Sequence, residues 1–417
     1  MIFCSDSAIA VGERLKAPPR SAPDDTTGQL ALPARVDIAV VGAGVIGLSI
    51  AWRLARLGLS VAVFERAKSG TGTSLAATGM LAAAAEHEPG GGDLLSLALE
   101  SQRLWPLFRS LLESDSHLSI DHRTDGTLVV ALGRDEVERL RFRYEHQRRS
   151  GLDARWLSGI EARSLEPGLR PSVAAGVACD GDHQVDPRLL TPALARAVQS
   201  RGGRLFENCP VTSLETAGGR ISGLVTAAGV CQARTVIVAN GVWAGDILSP
   251  QGIDIPLRPL KGQALALKAT KQTSTLSRVV WTEQIHLAPK SDGRLIVGST
   301  MEDAGFNAAI TAGGTLALLE GVHRALPSSE EMEIEAIWSG FRPTTDDDAP
   351  ILGTTGVPGL LIATGHHRNG ILLAPVTAAA LEELVTSGSM TGAASLFGLD
   401  RFQGVQPGQA LAAGARR

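Results

Sequence analysis

Cysteine is scarce. The chain has four in 417 residues: Cys4, Cys179, Cys209 and Cys231. No two of them form a C-x-x-C pair, so neither a zinc site nor a redox dithiol is signalled, and no metal is expected. Such usage suits a reduced, cytoplasmic compartment. Aromatic residues are also few, at 4 %. Basic excess is missing too. The formal net charge is −4, which speaks against general nucleic-acid binding. The one basic run, ERLRFRYEHQRR from Glu138 to Arg149, has the spacing of a solvated helix face. The uncharged stretches 38–52 and 349–367 are rich in glycine, proline or threonine, so no membrane span is expected. The first residues carry Asp6 and Glu13 without a long apolar core, which does not read as a secretory signal. Glycine is abundant, at 47 residues, but follows no period, which excludes collagen-like and solenoid folds.

What is present begins after an arm expected to be disordered over residues 1–35. The stretch VDIAVVGAGVIGLSIAWRLARLGLSVAVFER, residues 36–66, reads as strand, helix and strand. IAVV suits a buried parallel strand. Gly42, Gly44 and Gly47 follow in G-x-G-x-x-G spacing. Gly42 permits the tight turn, Gly44 lets backbone approach a pyrophosphate, and Gly47 lets the helix pack close to the strand. Glu65, ending the second strand, can accept from a ribose 2′-hydroxyl and would repel a 2′-phosphate. A single such fingerprint implies one bound dinucleotide, and alone it does not separate FAD from NAD.

Further on, TSLAATGML (73–81), DGDHQVDPRLL (180–190), PVTSLE (210–215), TVIVANGVWAGD (235–246) and PLKGQ (259–263) occur in order. HLAPKSDGRLIVGSTMEDAGF (286–306), IWSGFRPTTDDDAPILG (337–353) and GHHRNGILLAP (365–375) follow. Over residues 36–383 the chain resembles the D-amino-acid-oxidase-like family of FAD-dependent amine oxidases. Within it, the glycine oxidases that serve thiamin thiazole synthesis are the most similar. The resemblance implies an α/β fold: a Rossmann-like FAD-binding domain with an interleaved antiparallel-sheet substrate domain. The FAD-binding pieces are expected at 36–85, 170–245 and 340–395, the substrate pieces at 86–169 and 246–339, and a tail at 396–417. Asp292-Gly293, between two β-rich runs, reads as a hairpin turn.

The resemblance also assigns residues. Gly42, Gly44, Val45, Ile46 and Gly47 would meet the pyrophosphate, with Glu65 and Arg66 at the ribose. Thr73, Ser74, Thr78, Gly79, Met80 and Val211 would run beside the cofactor. His366, His367, Arg368, Asn369, Gly370, Ile371 and Leu372 would line the flavin, with a helix starting near Gly370. The residues themselves also allow plain turn-filling hydrogen bonds for His366 and His367. Arg342 stands where the family carries its substrate-carboxylate arginine, a task suited to a planar two-pronged cation. Arg368 would reach substrate as well, and Met301 would border it. His286 replaces a tyrosine common in the family. It either lines the substrate pocket and titrates between about 6 and 7.5, or packs as a strand histidine of the hairpin. The acids Asp346–Asp348 read as a solvated loop, and Asp180, Asp182 and His183 as a turn.

The implied reaction is oxidative deamination of glycine, sarcosine or a small D-amino acid. The products are a 2-oxo acid, ammonia and, from dioxygen, hydrogen peroxide. FAD would be held non-covalently, because no cysteine falls in FRPTTDDDAPILG. A homotetramer is common in the family. A dehydrogenase on the same fold, passing electrons to a quinone or protein, is the alternative.

Overall fold

The computed structural model describes residues 31–89, 91–270 and 276–402. The arm expected over residues 1–35 lies almost wholly outside them, as do Cys4 and the end of the expected tail. From Leu32 onward the chain forms one unit.

Its first strand, β1 (Arg35–Val41), alternates between two cores. Ile38 and Val40 enter one, while Val36, Ala39 and Val41 enter the other. A strand buried on both faces is the signature of a central parallel strand. β1 pairs in parallel with β2 (Val61–Phe64) on one side and with Gly229–Val238 on the other. Arg204–Phe206 continues the sheet beyond β2, and Leu360–Thr364 continues it beyond Gly229–Val238, both parallel. Ile351–Thr354 closes that edge antiparallel. The helix α1 (Val45–Arg56) joins Gly92–Ser116, Pro187–Ser200 and Ala374–Ser387 over one face.

A second eight-stranded sheet lies elsewhere in the unit. Glu333–Thr345 forms its edge and pairs along its whole length with Leu257–Lys268. Then come Arg294–Gly298 and His286–Pro289, which form the hairpin expected around Asp292-Gly293. Gly293 turns it with φ of 87°. Val279–Trp281 follows, and pairs in parallel with Thr127–Val129; the other pairs are antiparallel. The fold class is therefore the expected one, α/β with a Rossmann-like sheet and a largely antiparallel second sheet.

The seams differ from those expected. Gly92–Ser116 packs on the first sheet's helices, because Trp105, Phe108 and Leu112 enter the core that holds Trp52. Ala175–Cys179 belongs to the second sheet, held in register by Thr127–Ala131 and Arg155–Ser158. Glu333–Thr345 carries the second sheet past residue 340. The start of the expected tail is packed rather than loose: Phe397 and Leu399 are buried, and Arg401 meets Asp347 at 2.8 Å. Asp347 is thus a paired acid, not simply a solvated one. The basic helix, Arg134–Arg149, is also not wholly solvated. Arg143 turns inward to donate to the Ala85 carbonyl, and Gln147 donates to the Ala84 carbonyl at 2.8 Å.

Candidate active site

The carboxyl ends of β1, β2, Gly229–Val238 and Leu360–Thr364 surround a cavity of about 400 Å³. Open parallel sheets bind their ligands at this end. Gly42, with φ of 102°, brings the turn so close that a Cβ there would lie 2.7 Å from Asn240 Cα. Gly47 stands behind the wall; its added Cβ would meet the Gly42 carbonyl oxygen at 2.0 Å. Its role is the close helix–strand packing that the spacing predicts. The N–H of Val45 donates to Ser74 Oγ at 2.9 Å, tying the start of α1 to the TSLAATGML segment. The Glu65 carboxylate accepts from the N–H of Ala43 at 2.9 Å and of Ala67 at 3.0 Å. It fixes the glycine turn while lining the cavity.

Of the residues expected at the cofactor, the structure brings Gly42, Gly44, Val45, Ile46, Glu65 and Arg66 to one side of this cavity. Thr73, Ser74 and Val211 line it as well, and His366, His367, Arg368, Gly370 and Ile371 close it. Thr78, Gly79, Met80, Asn369 and Leu372 are off its wall. Met80 and Leu81 pair with Gln184 and His183. Leu372 is buried, its carbonyl accepting from Ser101 Oγ at 2.6 Å and Trp105 Nε1 at 2.9 Å. Sequence reasoning missed Asn240 and Trp243. Both line the cavity, and the Arg66 guanidinium lies 3.8 Å from the Trp243 ring centre. The signal was present in ANGVWAGD, a polar turn directly after a buried strand.

The residues present fit a dinucleotide. Two buried polar atoms, Asn240 Oδ1 and His367 Nε2, have no hydrogen-bond partner among the described residues, and both residues line the cavity. A ligand with hydrogen-bonding groups would satisfy them. The glycine turn and Glu65, directly after β2, complete the set.

The 365–373 segment departs from expectation in one respect. Gly365 makes a close approach, with φ of 74° and a would-be Cβ 2.7 Å from Thr345 Cγ2. The chain then runs as turns, and the helix begins at Ala374, not near Gly370. Pro375 explains the delay, since proline suits the first helical turn, where its missing N–H is not needed. His366 Nε2 lies 3.0 Å from Thr377 Oγ1, while the His367 N–H donates to the Pro343 carbonyl at 3.0 Å. That bond ties the turn to the strand carrying Arg342.

Arg342 sits on Glu333–Thr345 opposite Leu260. Its Nη1 donates to the carbonyls of Thr300 at 3.2 Å and Lys261 at 3.4 Å, and Nη2 donates to Ser299 Oγ. Gly262 makes room: a Cβ there would be 2.6 Å from Arg342 Nη1. Among the described residues no carboxylate pairs with it. Burial, then the charge of Arg368, pushes its pKa down to about 10, so it remains a cation at neutral pH.

Arg368 is paired. Its Nε lies 3.1 Å from Glu86 Oε2, an ion pair by distance without hydrogen-bond alignment, and its Nη2 donates to Glu88 Oε1 at 2.9 Å. Glu86 was not anticipated; an acid ending an alanine run carries no pattern of its own. Its loop is pinned by Asp182, whose carboxylate accepts from the N–H groups of Ala84 at 3.0 Å and Ala85 at 2.9 Å. Burial pushes Asp182 up to about 7. The 180–183 segment is thus a turn with a buried structural acid.

His286 is buried beside the Trp281 ring, with Nε2 3.0 Å from Thr78 Oγ1. Burial, with Arg342 and Lys290 nearby, drives its pKa down to about 3. That direction agrees with the packed strand histidine rather than with titration between about 6 and 7.5. Neither His286 nor Arg342 is on the cavity wall. Met301 is 66 % exposed and is also away from it.

A parallel nucleotide sheet, a single glycine fingerprint and a carbonyl-held arginine on the edge strand of the second sheet define a dinucleotide-dependent oxidoreductase. The chain belongs to the FAD dependent oxidoreductase family, whose model matches residues 37–384, and its cofactor is FAD. A glycine oxidase from Geobacillus kaustophilus is 35 % identical over 84 % of this chain and 93 % of its own length. Its solved structure superposes with a TM-score of 0.83, covering 88 % of this chain and 99 % of that one at 34 % identity. The bifunctional protein ThiO/ThiG of Trichormus variabilis is 35 % identical over 88 % of this chain; the match spans 55 % of that protein, about half its length. The structure of iminodiacetate oxidase from Chelativorans sp. BNC1 is 28 % identical, with a TM-score of 0.77, over 84 % of this chain and 95 % of its own.

Proposed function

We propose that the protein oxidises glycine or a similarly small amino acid or amine, sarcosine and small D-amino acids included. The observation that carries this is Arg342, a guanidinium held by carbonyl oxygens and lacking a carboxylate partner among the described residues. A substrate carboxylate is the natural counter-ion for such a group. When bound, FAD supplies the acceptor for oxidation of the carbon–nitrogen bond. The protein's own part is to hold the substrate. Arg342 fixes the carboxylate, and His286, as a neutral ring bonded to Thr78, adds no cation to repel an amine. The first sheet would carry the cofactor and the second the substrate.

Dioxygen is the proposed final acceptor, with ammonia, a 2-oxo acid and hydrogen peroxide as products. The similarity to glycine oxidases and to ThiO/ThiG supports a place in thiamin thiazole synthesis. A cytoplasmic setting and a homotetramer belong to the same proposal. Among the described residues no helix is long and apolar enough to cross a membrane. The deciding experiment is peroxide release and oxygen uptake with glycine, sarcosine and both alanine enantiomers. Turnover of at least one with peroxide release is expected. Reduction of an artificial acceptor without oxygen uptake would make the enzyme a dehydrogenase, and no turnover of any would remove the proposal.

A further inference from the structure

Two arginines bear on the proposed substrate site, and they differ in one respect. Among the described residues Arg342 donates only to neutral oxygens. Arg368 lies between the carboxylates of Glu86 and Glu88. Glu86 touches Arg368 and also feels the charge of Arg342. Burial raises the Glu86 carboxyl above its ordinary range, while Arg368, Arg143 and Arg342 pull against that rise. Arg143 itself is bound to the backbone at Ala85. On the other side, Asp348 and Arg258, one of each sign, act on this region.

The arrangement is built rather than incidental. Glu86 is held in place from behind by Asp182 and Gln147, which bond the backbone of Ala84 and Ala85. Glu88 is exposed and reaches back to the same guanidinium. Arg368 is therefore locally neutralised at the cavity wall, and of these two arginines Arg342 is left without a carboxylate partner among the described residues. A ligand with one carboxylate satisfies it. A second carboxylate would meet an arginine already paired, together with the two acids that pair it, and like charges in a partly buried site repel.

Resting on the carboxylate role of Arg342 proposed above, we infer that Glu86, assisted by Glu88, selects monocarboxylates against dicarboxylates by occupying Arg368. Glu86 acts through Arg368 as a positioning residue. Specificity here comes from an element that disfavours the wrong ligand. Releasing Arg368 should let the site take a diacid, one carboxylate on each arginine.

The test uses the FAD-loaded enzyme and unreactive ligands, with binding read by calorimetry. Acetate is the monoacid and oxydiacetate the diacid. The proteins are the parent, Glu86→Gln, Glu88→Gln and Arg342→Ala. The parent should bind acetate more tightly than oxydiacetate, and Arg342→Ala should abolish acetate binding. Glu86→Gln should raise the ratio of diacid to monoacid affinity about tenfold, as expected for a partly buried charge. Glu88→Gln, at a more exposed pair, should raise it about threefold. An unchanged ratio in Glu86→Gln overturns the inference. So does a parallel loss of both ligands, which is what a merely structural role would give. If Glu86→Gln does not fold, Glu88→Gln decides alone, and an unchanged ratio there overturns it. Acetate binding that survives Arg342→Ala removes the carboxylate role itself and this inference with it. Acetate binding that depends on Arg342, with flat ratios in both glutamine variants, removes only the inference.

Discussion

At Arg342 a cation is kept in shape by carbonyls and given space by a missing side chain at Gly262. Lysine would retain the charge and lose the fork. Arg342→Lys should lower kcat/KM on the best substrate roughly ten- to a hundredfold, for a loss of about 1.5–3 kcal/mol. Flavin content should stay at the parent level; unchanged kinetics would take Arg342 out of the site. His286 gives the opposite kind of expectation. Its folded pKa of about 3 means it is neutral across the working range. Any inflection of kcat/KM between pH 6 and 7.5 should survive His286→Phe, and its disappearance would show that the ring titrates after all. Arg342 was legible in the sequence because it stands inside a specific motif. Glu86 was not. Its partner Arg368 is 282 residues away along the chain, and nothing local marks either as half of a pair. Nor could sequence reveal the fate of His286, because a pKa is set by what covers the ring.

Among elements, β1, α1 and β2 were the most readable, since turn, helix and strand are neighbours in sequence and each glycine has a local reason. Glu65 joins the first and last of them. Its carboxylate takes the N–H of Ala43 as well as facing the cavity. Glu65→Ala should therefore weaken FAD by about tenfold or more, for a charged hydrogen bond of about 1.5–3 kcal/mol. Flavin occupancy after dialysis checks this, and equal occupancy in mutant and parent would leave Glu65 only the turn. Strand membership was less readable. Ala175–Cys179 is a plain apolar run that would suit either sheet, and its two antiparallel neighbours decide the matter. The late start of Ala374–Ser387 was written in Pro375 but outweighed by the glycine at 370.

For the molecule as a whole, FAD should be released completely on denaturation. Cys179, Cys209 and Cys231 are all off the cavity wall. Colour retained on washed precipitate would show a covalent link. Acid sensitivity is a second property of the whole. His366 is buried, and burial holds its pKa at about 3, below an unfolded value of about 6.5. As pH falls below 6.5, the unfolded chain takes up a proton that the folded chain refuses, so stability declines toward pH 3. His366→Gln should flatten the slope of unfolding free energy between pH 6 and 4 by up to about 1.4 kcal/mol per pH unit. Denaturant titrations of both proteins would reveal it, and parallel slopes would argue against a buried neutral ring. The order of strands has one more consequence, in time rather than in space. The first sheet needs Gly229–Val238 beside β1 and then Leu360–Thr364 beside that. On the ribosome, β1 waits for a partner about 200 residues later, and that partner waits for one more than 120 residues later still. A nascent polypeptide halted before residue 360 carries an unfinished apolar edge, so it should remain protease-sensitive and a ready client for chaperones until Leu360–Thr364 has emerged.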